Sequence, residues 1–355
     1  MGEVKLMKGN EALAEAAIRA GVDAYFGYPI TPQSEVIEYL SREATKRTGM
    51  VVLQAESEIG AINMIYGAAG CGKKAMTTSS SPGISLMQEG LSYIASAELP
   101  CLLANINRGG PGLGTIQPAQ GDYFQATKGG GHGDYRLLVL APYNVQEMAD
   151  FVKLGFDLAF KYRNPVMILA DGALGQMMEK VELPPQLPRE NKEYPWATTG
   201  KPKNGERRII TSLHIQPEKM EEINLRLQRK YKQMEEEEVR YQTKNLEDAE
   251  YVFTAFGLVS RIALKAMDLG RQKGYKIGWI RPITLYPFPK KVFAEIAPKV
   301  KGILDIEMNA GQMVEDVMLS VQGKTRVEFY GRMGGVVPTP EEILENFEKM
   351  FIKGE

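Results

Sequence analysis

The chain has 355 residues, of which 44% are hydrophobic and 25% are charged, a composition typical of a globular protein with enough residues for two hydrophobic cores. Lys and Arg number 43 and Asp and Glu number 44, so the net charge of -1 gives no support to binding of nucleic acid or of an anionic membrane. The N-terminus contains acidic residues and no continuous apolar run, and no apolar stretch of about 18 residues occurs anywhere, so we expect a cytoplasmic protein.

The first predicted elements alternate between helix and strand. They are helix 9–20, strand 23–28 and helix 35–47. Asn10 is the expected cap of the first helix, and Thr31 or Ser34 the expected cap of the second. Thr31 has an alternative use as a hydroxyl donor into a cleft, because strand-to-helix loops carry the ligands in α/β folds.

The stretch 51–83 contains the main candidate for a catalytic or cofactor-binding residue. It begins with a short strand, 51–53, predicted to be buried, and continues into a helix that begins at Ser57 and ends in the glycine cluster 67–72. Glu58 therefore lies in the first turn of a helix that follows a strand, where α/β folds bind ligands. A carboxylate there either complements the helix dipole or is a buried acid that hydrogen-bonds a cofactor ring.

The glycine cluster also resembles a P-loop, since residues 67–73 fit its glycine and lysine positions. Lys74 stands where a P-loop needs Ser or Thr to bind Mg²⁺, and the cluster ends a helix and opens strand 75–78, which is the reverse of the P-loop order. We therefore interpret these glycines as a helix cap.

The predicted elements after Gly83 complete a first α/β domain. They are helix 85–97, strand 99–106, strand 137–141 and strand 166–171. This alternation predicts a mainly parallel sheet between helices. Gly109 and Gly110 follow Arg108 after strand 99–106, so its guanidinium suits a carboxylate or phosphate unless a structural ion pair holds it.

A proline-rich, polar segment from residue 182 to 205 predicts a linker, followed by a charged helix with one apolar face. That face is expected to pack, and its residues are Met220, Ile223, Leu227, Tyr231 and Met234. A second α/β unit follows. Its elements are strand 251–256, helix 260–273, strand 276–280, strand 302–307, helix 311–322 and strand 325–330. A capping box at Thr339 and Glu342 begins the closing helix.

The side chains that usually carry catalysis are scarce. Cys71 and Cys101 are the only cysteines and do not form a C-x-x-C motif, so we interpret them as buried free thiols rather than as a disulfide, zinc or iron–sulfur site. His132 and His214 are the only histidines, which argues against a Ser-His-Asp triad or a histidine-rich metal site. We therefore expect a cofactor to supply the chemistry.

Six motifs resemble those of one family. They are YPITP (28–32), ESEIGA (56–61), TSSSPG (78–83), NRGGPG (107–112), KGGGHGD (128–134) and EMNAGQ (307–312). On these motifs the chain resembles the alpha-type subunit of the 2-oxoacid:ferredoxin oxidoreductases, which use thiamine diphosphate, coenzyme A and iron–sulfur clusters. The resemblance implies a pyrimidine-binding domain at 1–185, a linker with the charged amphipathic helix at 186–247 and a transketolase C-terminal-like α/β domain at 248–355.

The resemblance also implies roles for individual residues. Glu58 matches the glutamate that hydrogen-bonds N1′ of the aminopyrimidine and promotes the tautomer that removes the thiazolium C2 proton, with Glu56 as the alternative. The other implied cofactor-binding residues are Ser81, Pro82 and Gly83. Thr31 resembles the residue that hydrogen-bonds the oxo or carboxylate group of the substrate, and Arg108 the one that pairs with the carboxylate.

Two features of the family, the metal-binding motif and the cluster cysteines, are missing from this sequence. The diphosphate and magnesium motif Gly-Asp-Gly with a downstream Asn-Asn fails, because Ala170-Asp171-Gly172 is followed at the family's spacing by PWATT (195–199). Cluster cysteines are missing too. The resemblance therefore implies that this chain binds no metal and supplies half of the thiamine site. A beta-type subunit is expected to bring Mg²⁺ and a [4Fe-4S] cluster. Gamma- and delta-type subunits would complete a hetero-oligomer that reduces ferredoxin.

The expected substrate is a 2-oxoacid with an uncharged branched side chain, 3-methyl-2-oxobutanoate (2-oxoisovalerate). Leu113 and Ile116 lie in the Arg108 loop. No further Arg or Lys occurs before Lys128, so the distal carboxylate of 2-oxoglutarate would be buried unpaired. His132 or another chain could supply a partner, which keeps 2-oxoglutarate as the alternative. A non-catalytic scaffold subunit is the alternative from another class.

Overall fold

The computed structural model describes residues 3–190, 192–200 and 205–354, so residues 191 and 201–204 of the predicted linker lie outside the described residues, as do the chain ends of the predicted first and last domains. The strands are β1 Glu3–Lys8, β2 Ala24–Gly27, β3 Val51–Gln54, β4 Ala75–Ser79, β5 Cys101–Asn107, β6 Leu138–Leu140, β7 Pro165–Asp171, β8 Met178–Leu183, β9 Tyr241–Lys244, β10 Tyr251–Thr254, β11 Ile277–Pro282, β12 Thr284–Tyr286, β13 Gly302–Glu307 and β14 Arg326–Gly331. The helices are α1 Gly9–Arg19, α2 Ser34–Thr48, α3 Glu58–Gly70, α4 Ser81–Ser96, α5 Tyr123–Thr127, α6 Val145–Tyr162, α7 Gly172–Gln176, α8 Pro217–Glu237, α9 Gly257–Gln272, α10 Lys290–Ile296, α11 Met313–Val321 and α12 Pro340–Phe347.

A seven-stranded sheet forms the centre of the N-terminal half, in the order β12-β6-β7-β5-β4-β2-β3. All of its pairings are parallel except that of β12 with β6. Every residue of β4, β5 and β7 is buried, because helices cover both faces of the sheet. The predicted α/β fold with a mainly parallel sheet between helices is confirmed.

A second, five-stranded sheet has the order β14-β13-β10-β11-β9 and is parallel except for β9. β9 belongs to this sheet although its residues lie in the predicted linker, and β12, from the C-terminal part of the chain, extends the first sheet. Gln120 joins the two halves, because its backbone N–H donates to Met308 O at 2.9 Å and its Oε1 accepts from Met308 N at 3.0 Å. The domain boundaries stay a prediction.

Two predicted helix starts agree with the structure. Ser57 Oγ accepts a hydrogen bond from Gly60 N at 3.1 Å and caps α3. Thr339 Oγ1 accepts from Glu342 N at 3.2 Å, and the Glu342 carboxylate accepts from Thr339 N at 2.9 Å, which completes the capping box of α12.

Two other predicted caps are wrong. Asn10 lies inside α1 and is buried, because its amide donates to Pro32 O at 2.7 Å and so ties α1 to the loop before α2. Neither Thr31 nor Ser34 caps α2, since the cap position is Gln33, which makes no side-chain capping hydrogen bond. For Asn10, the hydrogen bond to the distant residue Pro32 outweighs the local preference of asparagine for a cap position.

The strand β3 is exposed, which corrects the prediction of a buried strand at 51–53. Val51 is 51% exposed and Leu53 is 45% exposed, because β3 is the edge strand of the first sheet and, among the described strands, pairs with β2 alone. An exposed apolar edge strand is a surface on which another chain can pack.

The glycine cluster at the end of α3 terminates that helix, as predicted. α3 ends at Gly70, Gly72 has a φ of +74°, and β4 begins at Ala75. The order of helix, glycines and strand is the reverse of a P-loop.

The prediction of two buried thiols is wrong for one of them. Cys71 is exposed because it lies just after the last residue of α3, whereas Cys101 is buried in β5.

The apolar face of α8 packs, as predicted, and its contacts are with the N-terminal half of the chain. Its buried residues Ile223, Leu227, Tyr231 and Met234 join the hydrophobic cluster that contains α1 and α6. None of the helices in the described ranges combines the length and apolar character needed to cross a membrane.

Candidate functional site

The candidate site lies where β4 and β5 end and where α3 and α4 begin. Glu58 is the first residue of α3, held there by the Ser57 cap, and it is 5% exposed. The carboxyl ends of parallel strands and the amino ends of the following helices meet at this edge of the sheet. This is the position at which α/β folds bind their ligands.

Gly83 brings the first turn of α4 against the Glu58 side chain. A Cβ atom at position 83 would lie 2.4 Å from Glu58 Oε1 and 2.1 Å from Ser79 Oγ, so only glycine fits there without a shift. α4 begins at Ser81 and not near residue 85 as predicted, because Pro82 occupies a position at the start of the helix that proline favours.

Glu58 is largely buried, but its carboxylate oxygens are not among the fully buried unpaired atoms. In the part of the chain that the structure describes, no side chain or backbone N–H donates a hydrogen bond to this carboxylate, so it is free to accept one from a ligand. Glu56, by contrast, is exposed, and its carboxylate lies against the backbone of Gly60. Of the two glutamates, Glu58 is therefore the one that a ligand can satisfy.

Several polar side-chain atoms at the ends of β4 and β5 are buried and unpaired within the described residues. They are Ser79 Oγ, Ser80 Oγ, Asn107 Nδ2 and Arg108 Nε. Nearly all buried polar groups in folded proteins have a hydrogen-bond partner, so unpaired groups at this edge of the sheet fit a bound polar ligand. A cofactor ring with several nitrogen atoms matches these donors and acceptors in kind.

Ser81 joins the start of α4 to the end of β5. Its Oγ accepts from Arg108 N at 3.1 Å and lies 3.2 Å from both Asn107 Oδ1 and the Arg108 carbonyl oxygen. The Ser81 hydroxyl therefore holds the start of α4 against the end of β5.

Arg108 is 9% exposed, and backbone carbonyls hold its guanidinium. Nη1 donates to Thr31 O and Nη2 to Leu113 O, both at 3.0 Å. Among the described residues no carboxylate forms an ion pair with it, so the structural ion pair considered for Arg108 is not present there. The structure brings Thr31 and Arg108 together through the Thr31 carbonyl, while the rest of Thr31 is exposed. A positioned guanidinium of this kind suits a carboxylate.

Two family models match consecutive parts of the chain. "Pyruvate flavodoxin/ferredoxin oxidoreductase, thiamine diP-bdg" matches residues 15–248. The chain belongs to this family. "Pyruvate:ferredoxin oxidoreductase core domain II" matches residues 249–343.

Named relatives identify the chain as a 2-oxoacid:ferredoxin oxidoreductase subunit, as its motifs predicted. The ketoisovalerate oxidoreductase subunit VorB of Methanothermobacter thermautotrophicus is 45% identical over 98% of this chain and 97% of its own length. The 2-oxoglutarate synthase subunit KorA of Methanocaldococcus jannaschii is 37% identical over 96% of this chain and 98% of its own length.

Solved structures agree with this family. A 2-oxoglutarate:ferredoxin oxidoreductase from Magnetococcus marinus, with 2-oxoglutarate, coenzyme A and succinyl-CoA bound, superposes with a TM-score of 0.86 at 27% identity. The match covers 98% of this subunit and 65% of the solved chain. A split-gene transketolase, an inactive beta4 tetramer, superposes with a TM-score of 0.61 at 13% identity over 97% of each chain, which supports the fold alone.

A buried hydroxyl network behind the site of this oxidoreductase subunit was not predicted from the sequence. Tyr25 OH and Thr78 Oγ1 share a hydrogen bond of 2.7 Å, and Thr78 donates in turn to Gln33 Oε1. Burial raises the pKa of Tyr25. Gln33 follows YPITP and Thr78 opens TSSSPG, so their places in these motifs were the available signal.

A second unpredicted pair lies at the end of β5. Asn105 Nδ2 donates to Asp122 Oδ2 at 2.8 Å, and burial raises the pKa of Asp122. This contact links β5 to the loop before α5.

Asp171, the aspartate at the place of the family's magnesium motif, caps a helix. Its Oδ1 accepts from Ala173 N at 2.9 Å and Leu174 N at 3.0 Å, and burial raises its pKa to about 6. Across residues 3–190, 192–200 and 205–354 no group of three or more His, Cys, Asp or Glu side chains could hold a metal ion.

Lys128 and Glu307, which lie in two of the six motifs, make structural contacts. Lys128 Nζ lies 2.5 Å from Asp316 Oδ1, so it bridges the two halves of the subunit. The Glu307 carboxylate caps α11 by accepting from the backbone N–H groups of Gln312 at 3.0 Å, Met313 at 2.9 Å and Val314 at 3.2 Å.

Proposed function

We propose that the chain is the subunit that carries the pyrimidine-side glutamate of a thiamine-diphosphate-dependent 2-oxoacid:ferredoxin oxidoreductase. The complex would oxidatively decarboxylate 3-methyl-2-oxobutanoate to the acyl-CoA and pass the electrons to ferredoxin. The observation that carries the proposal is Glu58, a residue that is only 5% exposed and whose carboxylate has no hydrogen-bond donor among the described residues.

Glu58 is the proposed catalytic residue. When bound, thiamine diphosphate supplies a carbon nucleophile and accepts the electrons that decarboxylation releases. Glu58 would accept a hydrogen bond from N1′ of the cofactor's aminopyrimidine and hold the proton there. Gly83 leaves space for this contact, since a Cβ atom at that position would lie 2.4 Å from Glu58 Oε1. Ser81 and Pro82 form the helix start that lines the same side of the cofactor.

Arg108 and Thr31 are the proposed substrate-binding residues. The guanidinium of Arg108 is fixed by the carbonyls of Thr31 and Leu113 and lacks a carboxylate partner among the described residues, so it would pair with the carboxylate of the 2-oxoacid. The exposed Thr31 is proposed to contribute its hydroxyl to the oxo or carboxylate group.

The remaining chemistry is assigned to partner subunits. We infer that a beta-type subunit binds the diphosphate with Mg²⁺ and carries a [4Fe-4S] cluster, and that gamma- and delta-type subunits complete the complex with coenzyme A and ferredoxin. The relatives are named as subunits, and the chain spans 65% of the solved chain, which supports a multi-chain assembly. The pyrimidine-binding domain is assigned to 1–185, the linker to 186–247 and the transketolase C-terminal-like domain to 248–355.

The Arg108 loop favours a branched, uncharged substrate. The side chains of Leu113 and Ile116 are 81% and 57% exposed, so they are available to a substrate or a partner chain. Lys128 is paired with Asp316, which removes the nearest cation in sequence that could bind a second carboxylate. The VorB subunits named for ketoisovalerate are 45% and 46% identical to this chain, more than the 35–37% of the KorA subunits, whereas the VorA subunits of two Pyrococcus species are 29–30% identical.

The substrate is tested by reconstituting the complex and comparing ferredoxin reduction with 3-methyl-2-oxobutanoate, 2-oxoglutarate and pyruvate. We expect the highest kcat/KM for 3-methyl-2-oxobutanoate. 2-Oxoglutarate is the second candidate, favoured by the 2-oxoglutarate-bound relative of known structure. A higher kcat/KM for 2-oxoglutarate would overturn the branched-chain assignment and leave the role of Glu58 intact.

A non-catalytic scaffold is the alternative from another class. The chain alone should not decarboxylate 2-oxoacids, because we assign the diphosphate site to the partner. In the reconstituted complex a scaffold would tolerate Glu58→Gln, whereas the proposed role predicts loss of turnover. Turnover of the Glu58→Gln complex therefore distinguishes the scaffold alternative from the proposal.

A further inference from the structure

A cleft of about 630 Å³ lies between the end of α6, residues 195–196 and 208–211, and the amino-terminal half of α8. We name it the cationic pocket and define it by Glu98, Arg163, Trp196, Arg208 and Arg226. None of these residues belongs to the proposed thiamine site.

Positive charge in the cationic pocket exceeds negative charge. Among the described residues that line it, Glu98 is the sole carboxylate. Arg226 Nε at 2.6 Å and Lys230 Nζ at 3.3 Å both pair with Glu98, and burial lowers the pKa of Lys230 to about 8. Arg208 donates to backbone carbonyls, those of Tyr194 and Ala197, and is not neutralised by them.

Arg163 is the cation that the fold positions most firmly. Its Nε donates to Glu98 O at 3.0 Å, and its guanidinium lies 4.6 Å from the ring centroid of Trp196. Tyr194 stacks on Trp196 with ring centroids 5.3 Å apart, so the aromatic pair supports the guanidinium. Neither Nη atom has an acceptor in the described part of the chain. Burial lowers the pKa of Arg163, and the charge of Arg226 acts in the same direction.

We propose that the cationic pocket binds a phosphate group, with Arg163 as its principal ligand and Arg208 and Arg226 beside it. A planar guanidinium with both terminal nitrogens unpaired matches two oxygens of a phosphate. Several cations around one shared carboxylate favour a dianion over a single carboxylate. Because Arg163 and Tyr194 already contact the ring of Trp196, that ring serves to position Arg163 and is not needed to stack a ligand.

The phosphate can come from free inorganic phosphate or from a phosphorylated organic molecule. Calorimetric titrations of the full chain and of the assembled complex with sodium phosphate, adenosine 5′-diphosphate and adenosine separate these sources. We expect no binding of adenosine. Equal affinities for phosphate and the diphosphate indicate the free anion, and tighter binding of the diphosphate indicates an organic phosphate.

Arg163→Gln should weaken phosphate binding by about tenfold or more, because it removes a charge-assisted contact. The matched control is Arg229→Gln on the exposed side of α8, since Arg229 has no ion pair or hydrogen bond with any described residue. Arg208→Gln provides a second variant if Arg163→Gln does not fold. Thiamine-dependent turnover should be unchanged in any variant that assembles.

Two results would overturn the proposal. One is equal phosphate affinity in the wild-type chain, the Arg163→Gln chain and the Arg229→Gln chain, or no measurable binding in any of them. The other is binding to the isolated chain that is lost on assembly of the complex, which would mean that carboxylates of a partner subunit occupy the pocket.

Discussion

Gly83→Ala perturbs the contact that shapes the proposed cofactor site. The new Cβ atom would lie 2.1 Å from Ser79 Oγ and 2.4 Å from Glu58 Oε1, distances at which something must shift. Overpacking of a close-packed site costs about 1–3 kcal/mol, and replacing glycine by alanine in a helix returns about 0.5–1 kcal/mol. We therefore expect the free energy of unfolding to fall by about 1–2 kcal/mol.

Denaturant titration of the full chain measures the change in the free energy of unfolding. Calorimetry of the reconstituted complex measures its affinity for thiamine diphosphate, which should fall because the new methyl group displaces Glu58. Gly67→Ala is the matched control: it lies in α3 with no atom within 4 Å of the added Cβ, and should stabilise the chain by about 0.5–1 kcal/mol. Ser79→Ala in the Gly83→Ala chain should restore part of the stability and leave cofactor binding weak. Equal stability of Gly83→Ala and Gly67→Ala, with unchanged cofactor affinity, would refute this reasoning.

Two further predictions follow from side chains at the same edge of the sheet. In Arg108→Lys the shorter ammonium group cannot reach both carbonyls that hold the guanidinium. In steady-state assays of the complex, the KM for the 2-oxoacid should therefore rise about 10- to 100-fold. An unchanged KM would show that Arg108 does not bind the substrate. Asp171 has a pKa raised by burial to about 6, so the folded chain binds this proton more tightly than the unfolded chain. Its contribution to the free energy of unfolding should fall as pH rises from about 4 to about 6, by up to about 1.4 kcal/mol per pH unit. In denaturant titrations at several pH values, the free energy of unfolding of the Asp171→Asn chain should lack this decrease with pH. An equal decrease in the wild-type and Asp171→Asn chains would contradict the raised pKa of Asp171.

The main strands were predictable because they carry local information. β5 contains the apolar run 101–104 and β7 the run 165–170, and such runs mark strands that are covered on both faces. The candidate position of Glu58 followed from its place after a strand and from the Ser57 cap, both of which are local features.

The errors and omissions come from contacts between distant residues. The apolar composition of β3 does not tell an edge strand from a central one, and the edge position depends on the whole sheet order. Asn10 has a local preference for a cap, but its contact with Pro32 places it inside α1. The hydrogen bonds of Thr78 with Tyr25 and Gln33 likewise join parts of the chain that no short sequence window contains.

The role of Glu58 is tested most directly by hydrogen exchange at C2 of thiamine diphosphate in the reconstituted complex. Glu58→Gln keeps the shape of the side chain and removes the carboxylate, so we expect exchange to slow by about 10²- to 10⁴-fold while the complex still assembles. Glu56→Gln is the matched control and should exchange at the wild-type rate, because Glu56 is exposed. An unchanged exchange rate in the Glu58→Gln complex would contradict the proposed role of this chain, and a loss confined to Glu56→Gln would move that role to Glu56.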